Sequence, residues 1–179
     1  MTEHHARIEI SRPPAEVFAF LANPMNLPRW QPMLRETFRE GPDRIRVIGG
    51  GVGAEGIAAH VRFAVEAGAR CVSWATATGV GCAGDVRVEE AEAGAAVVLA
   101  LRLGQRAARP EALAHWTGDK ALDVDGALRA SLVAVKQHCE EVTQGVTLVS
   151  GGTQAHPDQA ALRDSRPYGS SATQNPGTG

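Results

Sequence analysis

Apolar and polar residues alternate over much of the first hundred positions, which is the spacing of half-buried β-strands. Ala6, Ile8 and Ile10 begin this pattern, with Arg7 and Glu9 between them. Further alternating stretches follow at hairpin spacing over residues 34–39, 45–47, 59–65, 72–78, 86–88 and 97–103. Strands joined by such short connections pair with their neighbours in opposite directions. The pattern therefore predicts one antiparallel sheet of an initial strand and about six later ones.

Helical patterns lie on either side of the six later strands. Residues 11–16 carry helix-start signals, Asn23-Pro24 ends the first short helix, and a second helix or turn runs to Trp30. Near the end of the pattern, apolar residues recur at spacings of three and four, at Val124, Leu128, Leu132, Val135, Cys139 and Val142. They form one stripe of an amphipathic helix, with Gly145 after its predicted end. One long helix and one large sheet predict an α+β fold in which the sheet wraps around the helix.

The composition changes sharply near Ser150. Between Gly151 and Gly179 the only large apolar residues are Leu162 and Tyr168. Such a segment cannot bury enough apolar surface to offset the entropy lost on ordering. We therefore predict a folded domain over residues 1–145 and a disordered tail over residues 146–179.

Overall charge and cysteine content exclude several classes of protein. The chain has 18 Lys and Arg against 20 Asp and Glu, a net charge of −2, which disfavours nucleic-acid binding. No apolar run approaches the roughly 18 residues of a membrane span, and the first residues lack a signal-peptide pattern, so we expect a cytoplasmic protein. Three cysteines without a C-x-x-C pair, and histidines without a third nearby ligand, predict neither disulfides nor a metal site. We expect no cofactor, and the oligomeric state is left open.

A glycine-rich segment matches the dinucleotide fingerprint. Gly51-x-Gly53-x-x-Gly56 follows an apolar strand. Dinucleotide binding also needs a carboxylate about 20 residues further on to hold the ribose hydroxyl, and Val72–Thr78 contains no acid. A loop between antiparallel strands is the favoured interpretation, and dinucleotide binding is a remote alternative.

Three segments together resemble a known superfamily. Residues 10–24, ISRPPAEVFAFLANP, and 27–32, LPRWQP, resemble the opening of the SRPBCC (START-related, helix-grip) superfamily. Residues 70–74, 84–88 and 128–142 resemble its polyketide cyclase/dehydrase-like branch. The resemblance implies a helix-grip fold: a curved antiparallel sheet around a long C-terminal helix, with two short helices after the first strand and an apolar cavity between sheet and helix.

The resemblance leaves two classes of function open, because the superfamily includes aromatase/cyclases, lipid carriers and hormone receptors and has no universal catalytic residues. In the first class, the protein is a polyketide cyclase/dehydratase-like enzyme that folds a flexible substrate inside the cavity. In the second, it is a non-catalytic carrier or sensor of lipid-like ligands. Both classes predict that a hydrophobic small molecule binds between the sheet and the C-terminal helix.

Residues with inward parity on the strands and on the long helix are the predicted ligand contacts. Thr76 and Thr78 share a face with Trp74, and buried hydroxyls need partners that a ligand or water would supply; a plain core is the alternative for Trp74. Residues 110–120 are predicted to form a lid-like loop or short helix at the cavity mouth. The predicted contacts are Phe38, Val61, Phe63, Trp74, Thr76, Thr78, Leu99, Leu101, Trp116, Leu128, Leu132 and Val135.

Glu36, Thr76 and His138 are the candidates for proton transfer. Glu36 shares parity with Leu34 and Phe38, and an inward orientation would raise its pKa by desolvation. A bulge at the start of the strand that turns Glu36 to solvent is the favoured alternative. His138 lies at the edge of the helical stripe, where it would face the cavity as a proton donor or lie at the boundary with one nitrogen in water.

Overall fold

The computed structural model describes residues 1–50, 56–77, 81–117 and 122–152, and it leaves out the side chains of Trp116 and of residues 142–152. The chain divides into two units, Met1–Val142 and Thr143–Gly179. The first unit contains the whole β-sheet and the apolar core. Most of the predicted tail, residues 153–179, lies outside the described residues.

Seven strands form one curved, open, antiparallel sheet, as the alternation of apolar and polar residues predicts. The strand order is β1-β7-β6-β5-β4-β3-β2, so β1 and β2, consecutive in the chain, lie at opposite edges. All neighbouring pairs are antiparallel. The strands are β1 Thr2–Ile10, β2 Leu34–Arg39, β3 Arg44–Gly49, β4 Ile57–Glu66, β5 Cys71–Thr76, β6 Cys82–Ala91 and β7 Gly94–Leu103.

Two short helices carry the chain from one sheet edge to the other. Helix α1 is Pro14–Ala22, and α2 is Leu27–Trp30, with a 3-10 turn at Pro24–Asn26 between them. Proline in the first turn suits α1, because it donates no hydrogen bond there. The turn is fixed by the Asn23 side chain, which accepts from the Met25 amide at 3.1 Å.

Two further helices follow β7. Helix α3 is Pro110–Thr117 and α4 is Val124–Gly152, so the stretch predicted as a lid-like loop or short helix contains a helix. Helix α4 continues through Gly145, where we expected it to end, and residues 146–152 of the predicted tail are helical. A glycine inside a helix weakens it by about 1 kcal/mol but does not by itself end it.

The core lies between the inner face of the sheet, helix α1 and the first half of α4. Leu128, Leu132 and Val135 of α4 are buried in the same cluster as Val17 and Leu21 of α1. Each side chain of this size contributes about 1.5–3 kcal/mol when it leaves water. Burial of the predicted helical stripe against the concave sheet is the arrangement that defines a helix-grip fold.

Strand β2 departs from simple alternation. The register with β3 shifts between Leu34 and Glu36, which is a β-bulge. An extra residue in one strand reverses which side chains face inward. Thr37, opposite Val47, is therefore buried, whereas Phe38, opposite Arg46, is exposed.

The glycine-rich segment connects two antiparallel strands. Gly49 of β3 pairs with Ile57 of β4, and residues 51–55 lie outside the described part of the chain. A dinucleotide fingerprint requires a helix to begin at the last glycine, so that its N-terminus meets the pyrophosphate. Residues 57–66 form a strand instead, so the remote dinucleotide alternative lacks its structural basis. None of the described helices combines the length and the apolar content that a bilayer crossing requires.

Candidate functional site

A cavity of about 160 Å³ lies between the inner face of the sheet and the first turns of α4. Strands β2 to β7 form one wall, the segment after β7 and α3 form a second, and α2 and α4 close the remaining sides. An apolar cavity of about 150 Å³ admits a molecule the size of benzene. The lining residues are Leu27, Gln31, Met33, Leu34, Ile45, Val47, Val61, Phe63, Trp74, Thr76, Cys82, Leu101, Leu103, Ala107, Leu113, Thr117, Leu122, Val124, Ala127 and Leu128.

The lining is almost entirely apolar. Among the residues that the structure describes, no Asp, Glu, His, Lys or Arg lines the cavity. Its polar side chains are Gln31, Thr76, Cys82 and Thr117. Ligand sites of this character take their affinity from apolar burial and their orientation from a few polar groups.

The hydroxyl of Thr76 is occupied by the protein backbone. Its Oγ1 donates to the Cys82 carbonyl oxygen at 3.2 Å and accepts from the Cys82 amide at 3.0 Å. We expected this hydroxyl to need a ligand or water, but the facing strand end satisfies it. Thr76 therefore joins β5 to β6 at the cavity edge, and its proton is not available for transfer to a ligand in this arrangement.

Cys82 brings a thiol to the cavity wall. Burial raises its pKa from 9.0 to about 11, because the surrounding apolar groups do not stabilise a thiolate. Burial also raises the pKa of Cys139 on α4 to about 11. A thiol with a raised pKa is a poor nucleophile at neutral pH. Cys82 thus acts in the wall as a small apolar side chain.

Trp74 is the largest of the described side chains that line the cavity. Its ring meets that of Trp30 edge to face, with the ring centres 6.4 Å apart. Trp30 is buried in the core cluster that also contains Val17 and Leu21 of α1. Trp74 lies opposite Gly84 on β6, where the absence of a side chain leaves room for the indole.

Six of the predicted contacts line the cavity: Val61, Phe63, Trp74, Thr76, Leu101 and Leu128. Leu99, Leu132 and Val135 belong to the packed core and are not lining residues. Phe38 lies on the outer surface with the guanidinium of Arg46 4.6 Å from its ring centre, because the bulge reverses the parity of β2. Thr78 and the side chain of Trp116 lie outside the part of the chain that the structure describes.

Two of the three predicted proton-transfer residues, Glu36 and His138, do not line the cavity. Glu36 is exposed and follows the bulge, as the favoured alternative predicted. The imidazole of His138 stacks on the ring of Phe20 in α1, with centres 5.8 Å apart. His138 thus packs between α4 and α1 at the surface boundary. No cluster of three potential metal ligands occurs within the described ranges.

The sequence predicts that residues 110–120, which contain α3, lie at the cavity mouth, but it does not predict the wall built by α2 or the lining residues Leu34 of β2 and Leu103 of β7. Leu27 and Gln31 lie in the segment 27–32 that resembles the family opening, and Met33 follows it directly, but the pattern there predicts only a short helix or turn. Leu113 and Thr117, four residues apart on α3, show the i, i+4 spacing that could have indicated a wall. Nothing in the local pattern shows that α2 meets the same cavity as α3.

Comparison with known proteins agrees with this geometry. A family model described as polyketide cyclase / dehydrase and lipid transport matches residues 1–140. This chain belongs to that family. The resemblance of its opening, strand and helix segments to the SRPBCC superfamily is thereby confirmed. Among curated protein sequences, none matches the chain.

Solved structures of similar fold include aromatase/cyclases. The di-domain ARO/CYC protein BexL from the BE-7585A biosynthetic pathway is 28% identical over 80% of this chain, with a TM-score of 0.61, and the chain spans about half (48%) of BexL. The Zhui aromatase/cyclase from Streptomyces sp. R1128 is 19% identical, with a TM-score of 0.58 over 78% of this chain and 93% of its own. A START superfamily protein from Mycobacterium smegmatis is 9% identical, with a TM-score of 0.59 over 78% and 98%.

Proposed function

We propose that this protein binds a small apolar molecule in the cavity between its sheet and α4, as a carrier or sensor without acid–base chemistry of its own. The observation that carries the proposal is the lining, in which no described side chain is a carboxylate, an imidazole or a cation. Transfer of apolar surface from water into such a space is favourable by about 25 cal/mol per Å². A location in the cytoplasm stays a prediction.

The positions of the former catalytic candidates support binding over proton transfer. Catalysis by a general acid or base requires a titratable group within about 3 Å of the reacting atom. Glu36 is exposed at the sheet edge and His138 stacks on Phe20, so neither meets this condition for a molecule inside the cavity. The thiol of Cys82 lines the cavity but is held in its protonated form.

The second candidate function is a cyclase-like reaction, and the similarity to BexL favours it. In this case the cavity would hold the ring-forming part of a flexible poly-β-ketone chain in a folded conformer, and orientation rather than proton transfer would accelerate ring closure. The two candidates share the binding site and differ in whether the bound molecule changes.

Ala127 on α4 offers the sharpest test of cavity binding. The Ala127→Met side chain is long and flexible enough to occupy the cavity that Ala127 lines. We expect toluene, titrated by NMR, to bind the wild type saturably and the variant at least tenfold more weakly. Ala130→Met, the same change at an exposed position of α4, is the matched control and should bind like the wild type. Equal binding to all three proteins would contradict the proposal.

Native mass spectrometry and an activity assay separate the two candidates. Purified protein should retain a co-purified apolar compound, and Ala127→Met should lose it. For a carrier, a synthetic poly-β-ketone thioester incubated with the wild type should give no more cyclised product than buffer does. Turnover that Ala127→Met abolishes would establish the cyclase candidate instead. Glu36→Gln and His138→Ala should each keep the wild-type toluene affinity within twofold.

A further inference from the structure

Gln31 is a polar side chain held at the wall of the apolar cavity. Its backbone is fixed on both sides, since its amide donates to the Leu27 carbonyl at 2.8 Å and its carbonyl accepts from the Leu34 amide at 3.0 Å. Gln31 is the C-cap residue directly after helix α2 and lies three residues before β2, so its position is set by two regular elements. A side chain mounted on such a rigid segment can orient a ligand.

A buried serine of α4, behind the cavity lining, contacts the Gln31 amide. Ser131 is only 1% exposed and lies on the core side of α4. Its hydroxyl donates to the Ala127 carbonyl oxygen at 2.9 Å, and Gln31 Oε1, 3.5 Å away, is a second and weaker acceptor of the same proton. One end of the Gln31 amide therefore meets α4. The other end of the amide, Nε2, forms no hydrogen bond with any described protein group. Gln31 itself lines the cavity.

The other polar side chains of the lining already have protein partners. The Thr76 hydroxyl bonds twice to the backbone of Cys82, and the Thr117 hydroxyl donates to the Leu113 carbonyl at 2.8 Å. The Cys82 thiol is a weak hydrogen-bonding group. Within the described lining, the Gln31 amide thus has the largest unused capacity for a hydrogen bond.

We propose that Gln31 determines ligand specificity, by pairing with a single uncharged oxygen group on an otherwise apolar ligand. This inference rests on the proposed function and names its ligand class. A hydroxyl or carbonyl oxygen fits, because either can accept a hydrogen bond from the Nε2 amide group that the protein leaves free. A carboxylate is excluded by the same lining, because its charge would be buried without a cation among the described residues.

Three probes of similar shape test this pairing: toluene, p-cresol and p-toluate, each titrated into the full chain by NMR at pH 7. Gln31→Met keeps the length of the side chain and removes the amide. We expect the variant to bind p-cresol about 5- to 10-fold more weakly, the effect of one lost hydrogen bond, with toluene affinity within twofold. Wild-type protein should bind p-toluate at least tenfold more weakly than p-cresol.

Two further variants separate hydrogen bonding from packing. Gln137→Met makes the same change at an exposed position of α4 and should leave all three affinities unchanged. Ser131→Ala removes the contact that orients the amide, and p-cresol affinity should fall about two- to threefold while toluene affinity holds.

The possible failures are distinguishable. If toluene and p-cresol both bind the wild type, and Gln31→Met weakens both equally or neither, Gln31 is only a packing residue and this inference falls while cavity binding stands. Tight binding of p-toluate would likewise overturn the uncharged ligand class. If neither toluene nor p-cresol binds the wild type, the proposed function itself fails, and the ligand class with it.

Discussion

Trp74 lies in the cavity wall because the residue opposite it on β6 has no side chain. A Cβ atom at Gly84 would lie 2.7 Å from Trp74 Cε2 and 2.7 Å from the Ala100 carbonyl oxygen. The second of these atoms belongs to the backbone of β7, which cannot rotate away. The glycine and the indole across from it therefore act as one unit, a pairing that also shields a glycine within a sheet.

We predict that Gly84→Ala destabilises the protein by about 1–3 kcal/mol, the usual effect of overpacking a fitted site. The variant should also weaken toluene binding, since Trp74 must move. Urea unfolding measures the first effect and NMR titration the second. Gly68→Ala is the control: a Cβ there meets nothing within 4 Å, so stability should stay within 0.5 kcal/mol, as is usual for surface changes. Similar losses in both variants would contradict the fitted pairing.

The inward orientation of Trp74 could be predicted from the sequence, but the role of Gly84 could not. Parity along one strand is a local property, and Trp74 follows it. The identity of the residue across the sheet depends on the register between two strands, which local pattern does not fix. Glu36 shows the same limit of prediction from sequence. Its exposure depends on a β-bulge, and the sequence pattern is compatible both with this bulge and with an inward orientation of Glu36.

Helix α4 has two functions along its length. Val124, Ala127 and Leu128 in its first turns face the cavity, whereas Leu132 and Val135 lie in the packed core. The sequence shows one continuous apolar stripe across both parts. Periodicity identifies the buried face of a helix, but it contains no information on whether the facing sheet is near or leaves a space.

Leu128→Ala and Leu132→Ala should therefore differ in their effect on ligands. Both residues are buried, so each variant should lose about 2–5 kcal/mol of stability in urea unfolding. Only Leu128→Ala enlarges the cavity, so only it should shift the relative affinity from toluene toward naphthalene. Val133→Ala, at a position that is 45% exposed, should change neither property. The same shift in Leu132→Ala would show that the cavity extends further along α4.

The stability of the whole molecule should fall at alkaline pH because two partly buried thiols have raised pKa values. Cys82 and Cys139 each have a pKa raised from 9.0 to about 11 by desolvation. The folded state holds these protons more tightly than the unfolded state, so their contribution is complete below about pH 9 and is lost between about pH 9 and 11. Urea unfolding at pH 8 and pH 10.5 should show this decrease.

The double variant Cys82→Ala, Cys139→Ala is the control for other groups that titrate in this range. Its stability should fall less between pH 8 and pH 10.5 than that of the wild type. An equal fall in both proteins would show that the thiols do not carry the effect.

At the scale of the molecule, the sequence predicts the architecture better than the site. The strands repeat an alternation that any half-buried antiparallel sheet shows, and the opening segment resembles that of a known superfamily, so the helix-grip fold could be predicted. The cavity is formed where distant segments meet, as with Gln31 and Ser131, which are a hundred positions apart. Contacts between segments so distant in sequence depend on the curvature of the sheet, and no local spacing of residues encodes them.

The strand order also has a consequence for how the chain folds during synthesis. Thr2 pairs with Leu103 and Ile10 with Ala95, so β1 has no partner until β7 has been made. Contacts between such distant residues require a large loop to close, which slows folding. Until then the nascent chain presents β1 as an unpaired strand edge, the feature that promotes association between incomplete chains. Completion of β7 is therefore the step at which β1 of the ribosome-bound chain gains its partner strand.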